Sequence, residues 1–187
     1  KYERTCYKMR KLFIMCGIPG SGKSTFLNRI TKPTSLVISR DKIRFSLLKD
    51  GEEYFSYEPV VEQMFYNGIS KALQLNYNVF ADQSSISIAA RKKLISRVTS
   101  YSEINVIWVD TSIEECINRD LNRIGRAHVG AKVIENMAKN FVAPTYAEGF
   151  ANIYKFDGKI MNTIFVLKGN PGGDEGLDNG IFRSSKK

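Results

Sequence analysis

A glycine-rich octapeptide near the amino terminus contains the residue types that bind phosphate. Residues 17–24 read GIPGSGKS and match the pattern G-x-x-x-x-G-K-[ST]. In that pattern the backbone N–H groups turn toward an anion, the lysine reaches the β- and γ-phosphates, and the hydroxyl contributes to a Mg²⁺ shell. We therefore predict a site for ATP or another nucleoside triphosphate, with Ser24 as the metal ligand. The predicted nucleotide-binding residues are Gly17, Pro19, Gly20, Ser21, Gly22, Lys23, Ser24 and Thr25.

A second segment, SRDKIR at residues 39–44, sets an acid between two arginines directly after a short apolar run. The carboxylate of Asp41 can accept a proton from an attacking hydroxyl group. Arg44 follows three residues later on the same helical face, where it can bind a phosphate of an acceptor. The same residues also suit an ordinary helix start, with an acid favoured by the helix dipole and an exposed arginine.

Further charged residues lie where a phosphate-transfer site would need them. Asp82 directly follows the predicted strand residues NVFA, where it can contribute to the Mg²⁺ shell or contact the acceptor. It can also be a simple turn residue at the end of a strand. Arg119 and Arg123 are four residues apart and share a helical face, while Arg126 follows Gly125 in a segment expected to form a mobile lid. Guanidinium groups there can spread charge over a transferring phosphate, and we expect at least one to be merely solvated.

Aromatic and basic side chains add two weaker signals. Tyr54, Phe55 and Tyr57 can stack nucleobases or can pack in the core. A basic helical segment has the same two interpretations, as contacts for an acceptor chain or as a solvated face. Its charged residues are Arg91, Lys92, Lys93 and Arg97.

Short apolar runs alternate with segments of helical periodicity along the chain. Strands are predicted at 12–16, 36–39, from 78, at 104–110 and at 151–156, and helices begin near 23, 40, 58, 88, 112 and 131. The helix that begins near residue 40 is expected to continue to Gly51. This alternation predicts an α/β fold of the P-loop kinase type, with a parallel sheet covered by helices on both faces and an arginine-bearing lid. The carboxyl ends of its strands would collect the candidate residues at one edge.

The length of 187 residues predicts one main domain. We place a kinase-like domain at residues 1–157 and a C-terminal extension at 158–187, which contains one extra strand within IMNTIFVL and a flexible tail. The chain begins with Lys rather than Met, so we expect it to be a fragment, with room for flanking repair domains.

Composition limits the environment and the partners. The formal charge of +9 favours a polyanionic partner such as nucleic acid, although a basic surface also serves solubility. Three cysteines without metal-ligand spacing are expected to be free thiols, which fits a reducing compartment such as the cytoplasm. No apolar run is long enough to span a membrane, so we expect no membrane partner.

Taken in order, the segments GIPGSGKST, SRDKIR, FADQSS and NRDLNRIGR resemble the 5′-hydroxyl polynucleotide kinases of phage and bacterial type, within the P-loop phosphotransferases. The resemblance covers roughly residues 11–157. PTYAEGF, at 144–150, is also similar to a segment of related ATP-dependent kinases. The chain departs from the family after Asp82, where Gln-Ser stands in place of the frequent Thr-Asn.

The resemblance implies transfer of the ATP γ-phosphate to 5′-OH ends of RNA or DNA, with Mg²⁺, in nucleic acid repair. It implies that Lys23 handles the ATP phosphates, that Asp41 is the general base, and that Arg123 or Arg126 is the lid arginine on the γ-phosphate. By the same resemblance Arg44 holds the phosphate 3′ of the acceptor nucleotide and Asp82 supports the acceptor.

Two other functions remain compatible with the same residues. One is a small-molecule or nucleoside kinase of the same fold, which would use the same cradle and base. The other is an ATP-gated nucleic-acid binding module with little turnover, which would tolerate loss of Asp41.

Overall fold

The computed structural model describes residues 10–157 and 164–166. They form a six-stranded sheet in the order β2-β3-β1-β4-β5-β6, in which the first five strands of the chain are parallel. All five predicted core strands are confirmed. The strands are β1 Lys11–Cys16, β2 Ser35–Ser39, β3 Asn78–Asp82, β4 Glu103–Asp110, β5 Asn152–Asp157 and β6 Ile164–Val166.

Within the described residues, six α-helices connect and follow the strands. They are α1 Lys23–Ile30, α2 Arg40–Leu47, α3 Glu58–Gln74, α4 Ile88–Arg97, α5 Ile113–Leu121 and α6 Ala131–Lys139. The expected continuation of α2 to Gly51 is wrong, because Leu48 is extended with ψ 131° and Gly51 lies in a later turn. The early end lets the chain reverse and bring Glu58 onto Arg44, a tertiary contact that outweighs helix propensity.

Helices cover both faces of the sheet, as predicted. Neighbouring residues of β1 point to opposite faces, so Phe13 packs with Phe26 of α1 on one side. Leu12 packs on the other side with Phe65 of α3 and Leu94 of α4. Burial on both faces explains why β1 is apolar throughout rather than alternating.

The sixth strand lies within IMNTIFVL, the segment in which an extra strand was predicted. Residues 164–166 pair antiparallel with β5. A connection from Asp157 to Ile164 is too short for the crossover that a parallel pair requires, so the strand returns antiparallel. The rest of the predicted extension lies outside the described residues, and its division from the main domain at residue 157 stays a prediction.

Two of the three cysteines lie in the described part of the chain. Cys16 and Cys116 are free thiols, and both are fully buried. Cys6 lies outside the described residues. The described helices include none with the length and apolar content needed to cross a bilayer.

One basic residue of α4 is neither solvated nor open to an acceptor. Arg91 is fully buried and forms a bidentate ion pair with Glu148, at 2.7 Å from Nε to Oε2 and 2.8 Å from Nη2 to Oε1. Its Nη1 donates to the backbone carbonyls of Ser85, at 3.1 Å, and Val142, at 2.9 Å. The pair therefore ties α4 to the turn after β3 and to the segment that precedes β5.

Loss of either partner should strongly destabilise the fold. Replacing Glu148 with Ala leaves the Arg91 cation buried without its carboxylate, and we expect the free energy of unfolding to fall by about 3–5 kcal/mol. Urea denaturation measures this change.

The control is Lys93→Ala, which removes a 2.8 Å pair with Glu62 made by a half-exposed side chain. We expect that change to cost less than about 1 kcal/mol. Equal losses in the two variants would contradict the structural role assigned to the buried pair.

Candidate active site

The phosphate-binding segment lies between the end of β1 at Cys16 and the start of α1 at Lys23, the context that its sequence motif requires. Its backbone has φ 81° at Gly20 and φ 102° at Gly22, conformations that side chains rarely adopt. A Cβ at Gly20 would lie 2.9 Å from Cys116 Cα and closer still to that residue's carbonyl oxygen. The loop therefore needs glycine both for its conformation and for its packing against α5.

Lys23 folds back over this loop. Its Nζ donates to the carbonyl oxygens of Gly17, at 2.8 Å, and Ile18, at 2.9 Å. Burial lowers the pKa of Lys23, while the nearby charges of Asp82 and Asp41 act in the opposite direction and that of Arg123 adds to the lowering. Both predicted carboxylates and Arg123 thus influence the charge of this ammonium group.

Asp82 and the start of the SRDKIR segment are neighbours across the sheet. Ser39 ends β2 directly opposite Asp82 at the end of β3. Burial raises the pKa of Asp82, opposed by the Lys23 charge and by a hydrogen bond from Ser39. Because Ser39 is also the N-cap of α2, accepting from the Lys42 amide at 3.5 Å, Asp41 begins its helix beside this carboxylate.

Asp41 itself is open to solvent but held in place. Its side chain is 66% exposed, forms an ion pair with Arg44, and accepts a 2.8 Å hydrogen bond from the Tyr54 hydroxyl. Burial and the adjacent Asp41 charge raise the pKa of Tyr54 to about 12, so the hydroxyl stays protonated as a donor. The arrangement orients a carboxylate while leaving it accessible to a reactant.

Arg44 is not the exposed cation that the sequence alone would allow. It is 5% exposed. Its Nη1 donates to Asp41 and, at 2.8 Å, to Tyr54, while Nε and Nη2 bind both oxygens of Glu58 at 2.9–3.1 Å. Arg44 thus positions Asp41.

Glu58 is a site-forming residue that sequence reasoning missed. It also accepts from Arg40, at 3.0 Å from Nε, so one carboxylate joins both arginines of SRDKIR to the first turn of α3. The only sequence signal was Pro59, which marks a helix start and favours an acid beside it. Which arginines such an acid would meet depends on the chain reversal between the two helices.

The lid segment is fixed at its base by a buried acid. Asp120 is 1% exposed and accepts from the backbone N–H groups of Val129, at 3.0 Å, and Gly130, at 2.8 Å. Arg123 contacts the same carboxylate at 3.4 Å, and His128 lies 3.1 Å from it. The sequence indicated no partner for His128, because its partner is set by the path of the lid.

The arginines of the predicted lid region have different positions. Arg119 reaches back from α5 to the phosphate loop, where its Nη1 lies 3.2 Å from the carbonyl of Ser21. Arg123 follows α5, and Arg126 lies in the 3₁₀ turn Gly125–Ala127. Arg119 therefore contacts the predicted nucleotide site directly, although the sequence did not distinguish it from a solvated arginine.

The residues present fit a nucleotide that brings its own metal. Within residues 10–157 and 164–166 no group of three His, Cys, Asp or Glu side chains is arranged to hold a metal ion. A metal at this cradle would depend on the Ser24 hydroxyl, phosphate oxygens and water, which is how Mg²⁺ commonly binds beside nucleotides. Glycine at position 22 also keeps the loop clear of Arg119, because a Cβ there would approach its Nη1 to 3.2 Å.

The tight packing of Gly20 can be tested by comparing its alanine variant with that of Gly51, which has no close neighbours. Gly20→Ala and Gly51→Ala both place a side chain at positive φ, a strain of about 1–2 kcal/mol. Only Gly20→Ala also collides with the Cys116 backbone, which adds about 1–3 kcal/mol and distorts the cradle. We expect Gly20→Ala to lose more unfolding free energy and to bind ATP more weakly than Gly51→Ala.

Urea denaturation and titration calorimetry with a non-hydrolysable ATP analogue measure the two effects. Gly51 has no atom within 4 Å of the added Cβ, so its variant isolates the backbone strain. Identical stability and affinity in the two variants would contradict the close approach of the loop to α5.

Comparison with solved structures identifies the fold. A chain in the structure of the Pnkp1/Rnl/Hen1 RNA repair complex superposes with a TM-score of 0.64 at 24% identity, over 75% of this chain and 46% of that chain. A sugar kinase from Janibacter sp. matches with a TM-score of 0.59 at 13% identity, over 81% of this chain and 87% of that one. A gluconokinase from Sinorhizobium meliloti matches with a TM-score of 0.51 at 16% identity, over 80% and 83%.

These neighbours share a P-loop kinase-like fold, and this chain spans less than half of the repair-complex chain that it matches. The model of a protein family described as AAA domain matches residues 12–144, which include the phosphate loop, the SRDKIR segment and the lid. The chain therefore belongs to the AAA domain family and has the fold of a P-loop kinase.

Proposed function

We propose that this protein is an ATP-dependent polynucleotide 5′-hydroxyl kinase, which transfers the γ-phosphate to 5′-OH ends of RNA or DNA. The observation that carries the proposal is the exposed carboxylate of Asp41, which Tyr54 and Arg44 hold beyond the carboxyl end of β2, on the same side of the parallel sheet as the phosphate loop after β1. A base open to solvent beside a phosphate cradle suits an acceptor that presents a hydroxyl group.

On the acceptor side, Asp41 accepts the proton of the attacking hydroxyl. Arg44 and the Tyr54 hydroxyl hold the carboxylate in one orientation, so little reorganisation is needed when the acceptor arrives. We assign Asp82, at the end of the neighbouring strand, to support of the acceptor. Arg44 is our candidate for the phosphate 3′ of the acceptor nucleotide. In that role it would share its guanidinium group between the phosphate and Asp41, while the Tyr54 hydroxyl keeps its hydrogen bond to the carboxylate.

On the donor side, the glycine backbone and Lys23 bind the phosphates. Lys23 must exchange its two carbonyl partners for phosphate oxygens, and its half-buried position strengthens that interaction. Ser24 would hold Mg²⁺, which neutralises charge on the phosphates when bound. Arg123 or Arg126 would stabilise charge on the γ-phosphate from the lid.

Two observations favour a polynucleotide over a small acceptor. The net charge of +9 attracts polyanions. One structural neighbour belongs to an RNA repair complex, which supports a role in nucleic acid repair beside flanking repair domains.

The buried free thiols of Cys16 and Cys116 are compatible with work in a reducing compartment such as the cytoplasm. The alternative, a small-molecule kinase, is favoured by the larger share of the sugar kinase that this chain covers.

Transfer of label from γ-³²P-ATP with Mg²⁺ tests the proposal. Parallel reactions offer 5′-OH RNA, 5′-OH DNA, the same oligomers with a 5′-phosphate, a nucleoside mixture and gluconate. We expect label on the 5′-OH oligomers alone, and the RNA to DNA ratio then ranks the acceptors. Label confined to nucleosides or gluconate would establish the small-molecule alternative instead.

Asp41→Asn should separate a kinase from a binding module. The amide cannot accept the proton, so we expect kcat to fall about 100-fold or more while ATP affinity changes little. The matched control is Asp50→Asn, an exposed acid in the turn after α2, which should keep full activity. Unchanged turnover in Asp41→Asn would refute the general-base role. ATP-dependent binding of nucleic acid by both the wild-type protein and Asp41→Asn, with little phosphate transfer by either, would favour an ATP-gated binding module.

A further inference from the structure

Three aromatic side chains form an exposed group beside the candidate base. Phe45 of α2 and Tyr54 have ring centroids 5.9 Å apart, and those of Tyr54 and Phe55 are 4.8 Å apart. Phe55 is 66% exposed and Phe45 is 38% exposed. We call these three rings the aromatic platform. Because the Phe55 side chain is largely exposed, it does not pack in the core.

The platform is joined to the acceptor carboxylate through Tyr54. The Tyr54 hydroxyl donates to Asp41 at 2.8 Å, and the Arg44 guanidinium carbon lies 4.4 Å from the centroid of the same ring. Arg44 thus covers Tyr54, while the neighbouring Phe55 remains the more open ring. Only the Tyr54 side chain separates the Phe55 ring from the Asp41 carboxylate. A ligand that reacts at Asp41 therefore lies close to an exposed aromatic surface.

The turn that carries Phe55 is held by local hydrogen bonds. The Ser56 amide donates to the Glu53 carbonyl at 3.1 Å, and the Glu58 amide donates to the Phe55 carbonyl at 3.2 Å. Tyr57 is not part of the platform, because its hydroxyl donates to Glu52 at 2.7 Å across the turn. The ring of Phe55 meets that of Tyr54 edge to face at 88°. A ring fixed in this way loses little conformational entropy when a ligand stacks on it.

We propose that Phe55 stacks on the base of the acceptor's 5′-terminal nucleotide and that the aromatic platform makes the enzyme selective for nucleic-acid ends. This inference rests on the proposed kinase function and names its acceptor subsite. One ribose separates a base from its 5′ oxygen, and one tyrosine ring separates Phe55 from Asp41. Stacking engages the π face that every base has, so the platform accepts any of the bases.

The size of the platform favours a base over a protein partner. A stable protein interface needs about 800 Å² on each side. A fully buried aromatic side chain supplies about 150–250 Å², so two partly exposed rings fall well short of an interface. One base needs only a single ring face, and the net charge of +9 attracts the phosphodiester chain attached to it.

The test compares two 5′-OH oligomers that differ only in the terminal base. One has a normal 5′-terminal nucleotide, and the other has an abasic tetrahydrofuran residue that keeps the 5′-OH and the first phosphate. For the wild-type protein we expect kcat/KM to be roughly tenfold or more higher for the oligomer with the base. In Phe55→Ala this ratio should fall to near one, and in Phe55→Trp it should be restored. The KM for ATP reports the donor site separately.

Leu75→Ala is the control, because Leu75 is an equally exposed apolar side chain, at 59%, and lies after the far end of α3. It should keep the wild-type ratio. A wild-type ratio near one, with both oligomers phosphorylated, would overturn the stacking proposal while the kinase function stands. Equal losses on both oligomers in Phe55→Ala would also overturn it, since they indicate a structural role. If neither oligomer is phosphorylated by the wild-type protein, the kinase function fails and the subsite fails with it.

Discussion

The contact between the phosphate loop and α5 is the constraint on which the site depends. Gly20 packs so closely against the Cys116 backbone that no side chain fits between them. Glycine at this position therefore lets the loop lie directly against the backbone of α5. Because α5 leads directly into Arg123 and the segment anchored on Asp120, the same contact sets where the predicted lid begins relative to the phosphate loop. The positions of the loop and of the predicted lid are thus linked through backbone packing.

A second constraint acts behind the loop. Ser85 has a φ of 41°, unusual for a residue with a side chain, and its carbonyl accepts from Arg91 and from the Cys16 thiol at 3.3 Å. The preceding carbonyl, that of Ser84, accepts from the Gly17 amide at 3.0 Å. Burial raises the pKa of Cys16 to about 11, so its thiol remains a neutral donor. The buried Arg91–Glu148 pair thus holds a strained turn against the first residue of the phosphate loop.

The surroundings of Asp41 use charge in a different way. Arg44 is almost fully buried, and a buried cation must be matched by acceptors. Glu58 and Asp41 share this role, which leaves Asp41 bound on one side and exposed on the other. The rings of Tyr54 and Phe55 lie 4.4 Å and 5.5 Å from the guanidinium carbon of Arg44 and help to keep that cation buried. The same buried cation thereby orients a carboxylate and supports the rings that surround it.

Local patterns in the sequence determined much of this molecule. The phosphate loop, the five parallel strands and the N-cap of α5 at Ser112 follow from residue types a few positions apart, because glycine conformation, strand burial and capping are short-range effects. The positions of Asp41 and Asp82 at one sheet edge also follow, since parallel strands end on the same side. These features needed no knowledge of distant contacts.

Other features were decided only by the tertiary structure. The early end of α2, the pairing of Glu58 with Arg44, the burial of Arg91 against Glu148 and the anchoring of the lid on Asp120 all join residues separated by turns or whole elements. The sequence around an arginine does not distinguish a solvated side chain from one that is buried in an ion pair or in contact with the phosphate loop. Its role is set by which carboxylate or carbonyl the folded chain brings within reach, and that depends on packing far from it in sequence.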